Sequence, residues 1–149
     1  MVFDHYVVEC KNDERFVIEL IRKKSGSIIH ARGKPNVLKI LERCNNCLGL
    51  IDEDPISDQL PRLRGVKLEP VGCDVKVGKY KGNIIVVLCP RLEEWVANVA
   101  RNTGIQKEIH ANILRTDGRK FETVIREIAS SNPEPEPIRV LRDILLKGI

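Results

Sequence analysis

An apolar run of strand length ends in acidic residues in the middle of the chain, and this segment constrains the fold most. Residues 48–51 are followed by Asp52, Glu53, Asp54 and Pro55. Proline cannot extend the hydrogen-bonded ladder of a sheet, so the acids are expected where a buried strand ends. Asp52 and Asp54 point to opposite faces of an extended strand, and they converge only if the chain turns between them. Ligands of open α/β sheets bind at this end of the strands.

Strand and helix patterns alternate through the first part of the chain. A β-favouring run at 5–8 ends at Glu9, and a helix is expected from an N-cap at Asn12 to a C-terminal turn containing Lys23, Lys24 and Gly26. A short strand at 27–30 and a second helix with an apolar face at 37–41 precede the run at 48–51. This order predicts an α/β protein with a mostly parallel central sheet flanked by helices.

The second part of the chain changes from strands to helices. Strands are predicted at 66–71, 74–77 and 83–88, with a hairpin connection at 78–82 and a short helix or loop at 56–65. The strand at 83–88 leads into a helix that begins near Glu93 and Glu94. Further helices follow, and a proline-rich linker at 133–137 precedes the last one. We therefore expect an α/β unit at 1–104 and a helical C-terminal extension at 105–149, packed on the same core as one compact domain.

Composition limits the classes of function. The 149 residues are 42% hydrophobic and 31% charged, which is typical of one globular domain. The formal net charge of +4 permits a polyanionic partner, and the aromatic content of 4% argues against a stacking platform for single strands. No apolar run is long enough to span a bilayer, and the first residues do not form a signal peptide. These features predict a cytoplasmic protein without a membrane partner.

The apolar face of the last helix is expected to pack on the core or to pair with a second copy.

The five cysteines are an odd number in a chain without an export signal, so reduced thiols are expected. Cys44 and Cys47 have the spacing of a zinc knuckle, but no second pair follows at a suitable distance. Two thiols at a helix-to-strand junction are favoured over a structural metal site, and a redox role ranks third.

The acids at the strand ends predict a cation site. Carboxylates held close together are unfavourable without a cation between them, and hard oxygen ligands select Mg²⁺ or a similar ion such as Mn²⁺. Lys11, Arg32 and Lys34 lie in the loops expected at the same edge, where they could bind phosphate or simply remain solvated.

Glu9 follows the first predicted strand, and the Asp52-Glu53-Asp54 segment follows the third. This arrangement resembles the Toprim fold, which topoisomerases, bacterial-type primases and OLD-family nucleases share. The resemblance covers roughly the first two-thirds of the chain. It implies that Glu9, Asp52 and Asp54 bind Mg²⁺ and are catalytic, with the glutamate also acting as a general acid or base. A later Pro-x-x-Glu and Trp pattern places Glu93 or Glu94 near the same metal.

Three functions are compatible with this sequence. The leading hypothesis is a stand-alone Toprim-like, Mg²⁺-dependent protein that processes DNA or RNA, most plausibly as a nuclease. The alternative is a Toprim-like module that binds nucleic acid or protein without catalysis. A nucleotide-binding or phosphohydrolase domain with Gly33-Lys34 as a phosphate loop is weaker, since the spacing differs from that of a Walker loop and Pro35 removes an amide donor.

Overall fold

A computed structural model describes residues 3–22, 27–54 and 61–149. Its sheet has six strands in the order β2-β1-β3-β6-β5-β4. The strands are β1 (His5–Val8), β2 (Ile28–His30), β3 (Cys47–Asp52), β4 (Glu69–Gly72), β5 (Val75–Tyr80) and β6 (Asn83–Leu88). Strands β2, β1, β3 and β6 are parallel, whereas β5 and β4 are antiparallel to their neighbours. The predicted α/β class and mostly parallel sheet are therefore confirmed.

Six α-helices accompany the sheet in the described part of the chain. They are α1 (Lys11–Ile21), α2 (Lys34–Leu41), α3 (Leu92–Asn102), α4 (Ala111–Thr116), α5 (Gly118–Ser130) and α6 (Glu136–Lys147). None of them is long and apolar enough to cross a membrane.

Successive side chains along the strands lie on opposite faces of the sheet and pack into two separate cores. Tyr6, Val8 and Leu50 belong to one cluster with α1, α3, α5 and α6, whereas Val7 and Ile51 belong to a second cluster beneath α2. This alternation follows from the two-residue period of a strand. The central strands are buried on both faces, as expected where helices cover a parallel sheet.

The last helix packs on the first of these cores. Ile138, Leu141 and Leu145 of α6 are fully buried, and the Tyr6 hydroxyl donates to the backbone carbonyl of Leu145 at 2.5 Å. The apolar face of α6 is thus used within the molecule. Pairing between copies through the C-terminal helices stays a prediction.

Several element boundaries differ from those predicted. Helix α1 begins at Lys11, so Asn12 is not its N-cap; the Asn12 side chain instead donates to the carbonyl of Leu114. The predicted strand at 66–71 begins only at Glu69, and β5 continues through Gly78 to a two-residue turn at 81–82. A Cβ at Gly78 would lie 2.8 Å from the Lys67 carbonyl, so a glycine keeps the strand close to this segment. The helix end predicted at 23–26, Pro55 and the 56–60 part of the predicted loop lie outside the described residues.

The prediction of reduced thiols is wrong for one pair, because a disulfide joins Cys44 and Cys47. The two residues flank the connection from α2 to β3, and this connection is held by the buried Asn83. Its side chain accepts from the Cys47 amide and donates to the carbonyls of Leu41 and Cys44. The turn brings the two sulfurs together, which sequence spacing alone did not require. Cys10, Cys73 and Cys89 are free thiols.

Gly49 permits close packing between β3 and α2, and its replacement by alanine is expected to destabilise the protein by about 1–2 kcal/mol. The added Cβ would lie 2.7 Å from Leu41 Cδ1 and 3.1 Å from Val37 Cγ1, and both side chains are fully buried. Urea denaturation measures the change. Combining Gly49→Ala with Leu41→Val should destabilise by less than the sum of the two single changes, because valine frees the space that the Cβ needs. Strict additivity would contradict this steric explanation.

Candidate functional site

The carboxyl ends of β1, β3 and β6 meet at one edge of the sheet. Val8 pairs with Leu50, and Asp52 pairs with Leu88, so these ends lie side by side. Helices α1 and α3 begin just after β1 and β6. Backbone amides at a helix N-terminus favour negative charge. The edge is therefore a place where acids can be held close together, and we call it the acidic edge.

Glu9 and Asp52 are adjacent at the centre of this edge. The Glu9 Oε2 atom accepts a hydrogen bond from the Asp52 amide at 2.8 Å, and Asp52 Oδ1 accepts from the Leu92 amide at 2.9 Å. The second bond ties the end of β3 to the start of α3. Burial raises the pKa of Glu9 to about 7, and the nearby Asp52 charge adds to this effect. Burial also raises the pKa of Asp52, against the opposing effect of the Leu92 amide.

Asp54 lies beside these two acids after a turn of the chain. Asp54 has a left-handed backbone conformation (φ 47°), and its amide donates to the Pro90 carbonyl at 2.9 Å. Its carboxylate accepts from the Arg91 guanidinium at 2.5 Å. The negative charge of Asp54 raises the pKa values of both Glu9 and Asp52. The turn needed to bring the two aspartates near each other is thus present, and Asp54 is already paired with a cation.

Asp13 is a member of the cluster that the sequence analysis missed. Only 1% of this residue is exposed, and its Oδ2 atom accepts from the Cys10 amide at 3.0 Å and from the Cys10 thiol at 3.1 Å. Burial raises the pKa of Asp13 well above its usual range, and the charges of Asp52 and Glu9 add to the shift. The structural N-cap is Cys10, and Asp13 stands three residues after it, which is the spacing of a capping box. The N-cap expected at Asn12 concealed this signal.

Glu93 and Glu94 have different environments at the start of α3. Burial raises the pKa of Glu93, and the charges of Asp52 and Glu9 raise it further. The Oε2 atoms of both glutamates are buried and have no hydrogen-bond partner among the described residues. Glu94 forms an ion pair with Arg115 through its other oxygen, whereas Glu93 has no such ion pair in the described part of the chain. Of the two glutamates, Glu93 belongs to the cluster and Glu94 faces a cation at its margin.

Cations border the acidic edge, although not all of the predicted ones do. Lys34 begins α2, donates to the Glu53 carbonyl at 3.3 Å and lowers the pKa values of Glu9 and Asp52. Arg91 precedes α3 and was not predicted. Lys11 is the first residue of α1, is mostly exposed and pairs with Glu14 at 3.5 Å.

Among the described residues, no contact joins Arg32 or the Glu53 carboxylate to the clustered acids. Arg32 is exposed, with a left-handed backbone (φ 63°), and its carbonyl accepts from Asn36. The Glu53 carboxylate forms an ion pair with Lys76 at 2.6 Å, which lowers its pKa. Glu53 therefore lies next to the acidic edge, but its carboxylate is paired with Lys76 and does not belong to the cluster of acids.

The chemistry of the acidic edge fits a divalent cation. Across residues 3–22, 27–54 and 61–149, no three His, Cys, Asp or Glu side chains are already arranged to hold a metal ion. Even so, burial raises the pKa of each of four acids, a neighbouring carboxylate charge adds to every one of these shifts, and Glu93 retains an unpartnered buried oxygen; the four are Glu9, Asp13, Asp52 and Glu93. A cation would relieve both conditions. Side-chain rotation would have to bring the carboxylate oxygens to a common point.

The fold and the acidic edge define the class of this protein only as an α/β protein with a mixed six-stranded sheet. No protein-family model, curated protein or solved structure matches the chain. The Toprim resemblance accordingly stays a prediction.

Proposed function

We propose that this protein binds Mg²⁺ or Mn²⁺ at the acidic edge and cleaves phosphodiester bonds of nucleic acid. The observation that supports this proposal is the cluster of buried and partly buried carboxyl groups at adjoining strand and helix ends, whose pKa values are raised by burial and by neighbouring negative charge. Burying like charges together is unfavourable for stability alone. Such clusters are more typical of sites that bind a cation or handle protons.

Four residues of the acidic edge would hold the cation under this proposal. Glu9, Asp52 and Glu93 would hold the metal, with Asp54 contributing after it exchanges its contact with Arg91. The bound cation would polarise a phosphodiester and favour ionisation of a nearby water. In the metal-free chain the pKa of Glu9 is raised to about 7, so binding of the cation would release the proton of this carboxyl near neutral pH.

Two cations and one acid complete the arrangement. Lys34 and Arg91 lie where they could bind phosphate oxygens beside the acids. Asp13 would act by position, because its carboxyl holds the Cys10 amide at the start of α1. The Lys11 and Arg32 side chains, predicted to bind phosphate, have no described contact with the acids and stay predictions.

The proposal is tested on the wild-type chain with plasmid DNA and a short RNA, each in Mg²⁺, in Mn²⁺ and in EDTA. We expect cleavage that requires the metal, together with metal binding in a calorimetric titration. Titration of the Asp52→Asn variant should show that this binding is lost. Absence of metal binding to the wild type would overturn the proposal.

A second candidate function is a non-catalytic module that binds nucleic acid or protein. The specific observation in its favour is that the described carboxylates do not yet converge on a metal position. This function predicts binding of nucleic acid that is unchanged by EDTA, without cleavage in any metal. The same experiment therefore separates the two functions.

A further inference from the structure

A basic groove lies at the end of the sheet opposite the acidic edge. The turn between β5 and β6, the end of α2 and the segment 61–67 border an open cavity of about 520 Å³ there. Five basic side chains line it: Arg62, Arg64, Lys67, Lys79 and Lys81. The walls are anchored, because the buried Asn83 beside the turn is hydrogen-bonded to the end of α2 and the start of β3. The groove is thus a defined concave surface with a concentration of positive charge.

The acid that lines this groove is already neutralised. Glu42 pairs with Arg62 at 3.1 Å and accepts a hydrogen bond from the Tyr80 hydroxyl at 2.9 Å. Both contacts lower the pKa of Glu42, so its carboxylate is ionised and engaged. Arg64, Lys79 and Lys81 have no ion-pair partner among residues 3–22, 27–54 and 61–149. Their charge is available to a ligand.

A neighbouring cavity extends the same positive surface. Its volume is about 380 Å³, it shares Glu42 and Arg62 with the groove, and it adds Lys39 and Arg43 from the end of α2. Seven basic side chains and one acid, Glu42, line the two cavities. This excess of positive charge is larger than the formal net charge of +4 of the whole chain. The remaining surface is therefore not basic on balance. Such segregation of charge on a concave surface attracts polyanions.

We propose that this basic groove binds the sugar-phosphate backbone of a nucleic-acid duplex. The choice of nucleic acid as the polyanion rests on the proposed function, but binding in the groove needs neither metal nor cleavage. Single strands usually require exposed aromatic rings for stacking, and Tyr80, the aromatic residue of the groove, is only 6% exposed. Protein partners are typically held by anchors in well-packed, fully desolvated pockets, whereas this groove is open and lined mainly by charged side chains. Phosphate contacts without base stacking are characteristic of backbone binding to a duplex.

The groove and the acidic edge lie at opposite ends of strand β6. A second cavity at the carboxyl end of β3 is lined by Asp52, Glu53 and Leu63, and Leu63 belongs to the segment 61–67 that borders the groove. Strand β6, from Asn83 to Leu88, connects the two ends. At ~3.3 Å per residue this separation is roughly 17 Å, which corresponds to about five base pairs of duplex.

Fluorescence anisotropy with a labelled DNA duplex of about 20 base pairs, in EDTA, tests the proposal. The Lys79→Glu/Lys81→Glu double variant should bind at least about tenfold more weakly than the wild type. The slope of its log affinity against log salt concentration should correspond to about two fewer phosphate contacts. A matched control, Lys107→Glu/Lys147→Glu, makes the same change in net charge at exposed positions outside the groove. It should retain most of the binding. Far-UV circular dichroism confirms that both variants are folded.

Three results would overturn the groove assignment. Equal weakening by the two double variants would mean that only net charge matters. Unchanged binding by Lys79→Glu/Lys81→Glu would exclude the groove as the contact. Competition by a single strand or by polyglutamate as effective as that by the duplex would exclude duplex backbone as the ligand. Because binding is measured in EDTA, failure of Mg²⁺-dependent cleavage in a separate assay counts against the proposed nuclease and leaves the groove assignment standing.

Discussion

Replacement of Asp52 by asparagine is expected to lower metal-dependent cleavage at least about 100-fold. A metal bound by carboxylates stabilises the transition state by several kcal/mol, and roughly 2.7 kcal/mol already corresponds to this factor. Asparagine keeps an oxygen that can accept the hydrogen bond from the Leu92 amide, so the junction of β3 and α3 is retained. The variant therefore removes the charge while it preserves the local structure. Rates of plasmid nicking and of short-RNA cleavage in Mg²⁺ measure the effect.

The neighbouring Glu53 provides the matched control. Glu53→Gln removes one negative charge from the adjacent residue, but this carboxylate is paired with Lys76. We expect Glu53→Gln to change cleavage by less than about threefold, in keeping with the modest energy of a partly exposed ion pair. Equal losses in the two variants would show that the negative potential of the edge matters in general and that Asp52 has no specific role as a metal ligand.

Replacement of Glu9 by glutamine is expected to stabilise the metal-free protein at pH 8 by up to roughly 3 kcal/mol. This value corresponds to raising the Glu9 pKa from 4.5 to about 7 on folding. Below pH ~4.5 the Glu9 carboxyl is protonated in both the folded and the unfolded state, so the substitution leaves the free energy of unfolding nearly unchanged. As the pH rises to about 7, the unfolded chain releases its proton and the folded chain still holds it, so the free energy of unfolding decreases. Glutamine cannot ionise, and it keeps an oxygen for the Asp52 amide.

Urea denaturation of the wild type and of Glu9→Gln at pH 4, 6 and 8 in EDTA measures this difference. The variant should match the wild type at pH 4 and exceed it progressively at pH 6 and 8. Glu108→Gln, at an exposed position, is the control and should follow the wild type at each pH. A constant difference between Glu9→Gln and the wild type across this range would contradict a raised Glu9 pKa. Addition of Mg²⁺ should stabilise the wild type more than the variant, since a bound cation favours the ionised carboxyl.

Much of the fold could be predicted because its strands and helices have clear apolar periodicities. The buried run at 48–51 became β3, and the unbroken run at 83–88 became β6 beside it. The boundaries near β4 and β5 could not be predicted. Gly78 resembles a turn residue in sequence, but it lies within a strand because the Lys67 backbone packs against it. The disulfide between Cys44 and Cys47 likewise depends on a turn that Asn83 holds from another strand.

The acidic edge was partly predictable for a similar reason. Glu9 and Asp52 end strands that are parallel and adjacent, and parallel strands bring their carboxyl ends to one edge. The inclusion of Asp13, the separate environments of Glu93 and Glu94, and the pairing of Asp54 with Arg91 were not predicted. These features depend on how the starts of α1 and α3 approach β3. Such approaches are set by packing across the whole sheet.

Local hydrophobic periodicity encodes the α/β class, the parallel centre of the sheet and the strand ends that carry Glu9 and Asp52, so these features could be predicted from the sequence. The three-dimensional packing decided which acids lie close together and which are neutralised by cations. It also decided that cations from α2, the segment 61–67 and the turn after β5 line one groove. Burial and charge proximity depend on contacts between residues far apart in the chain, and no local pattern specifies them.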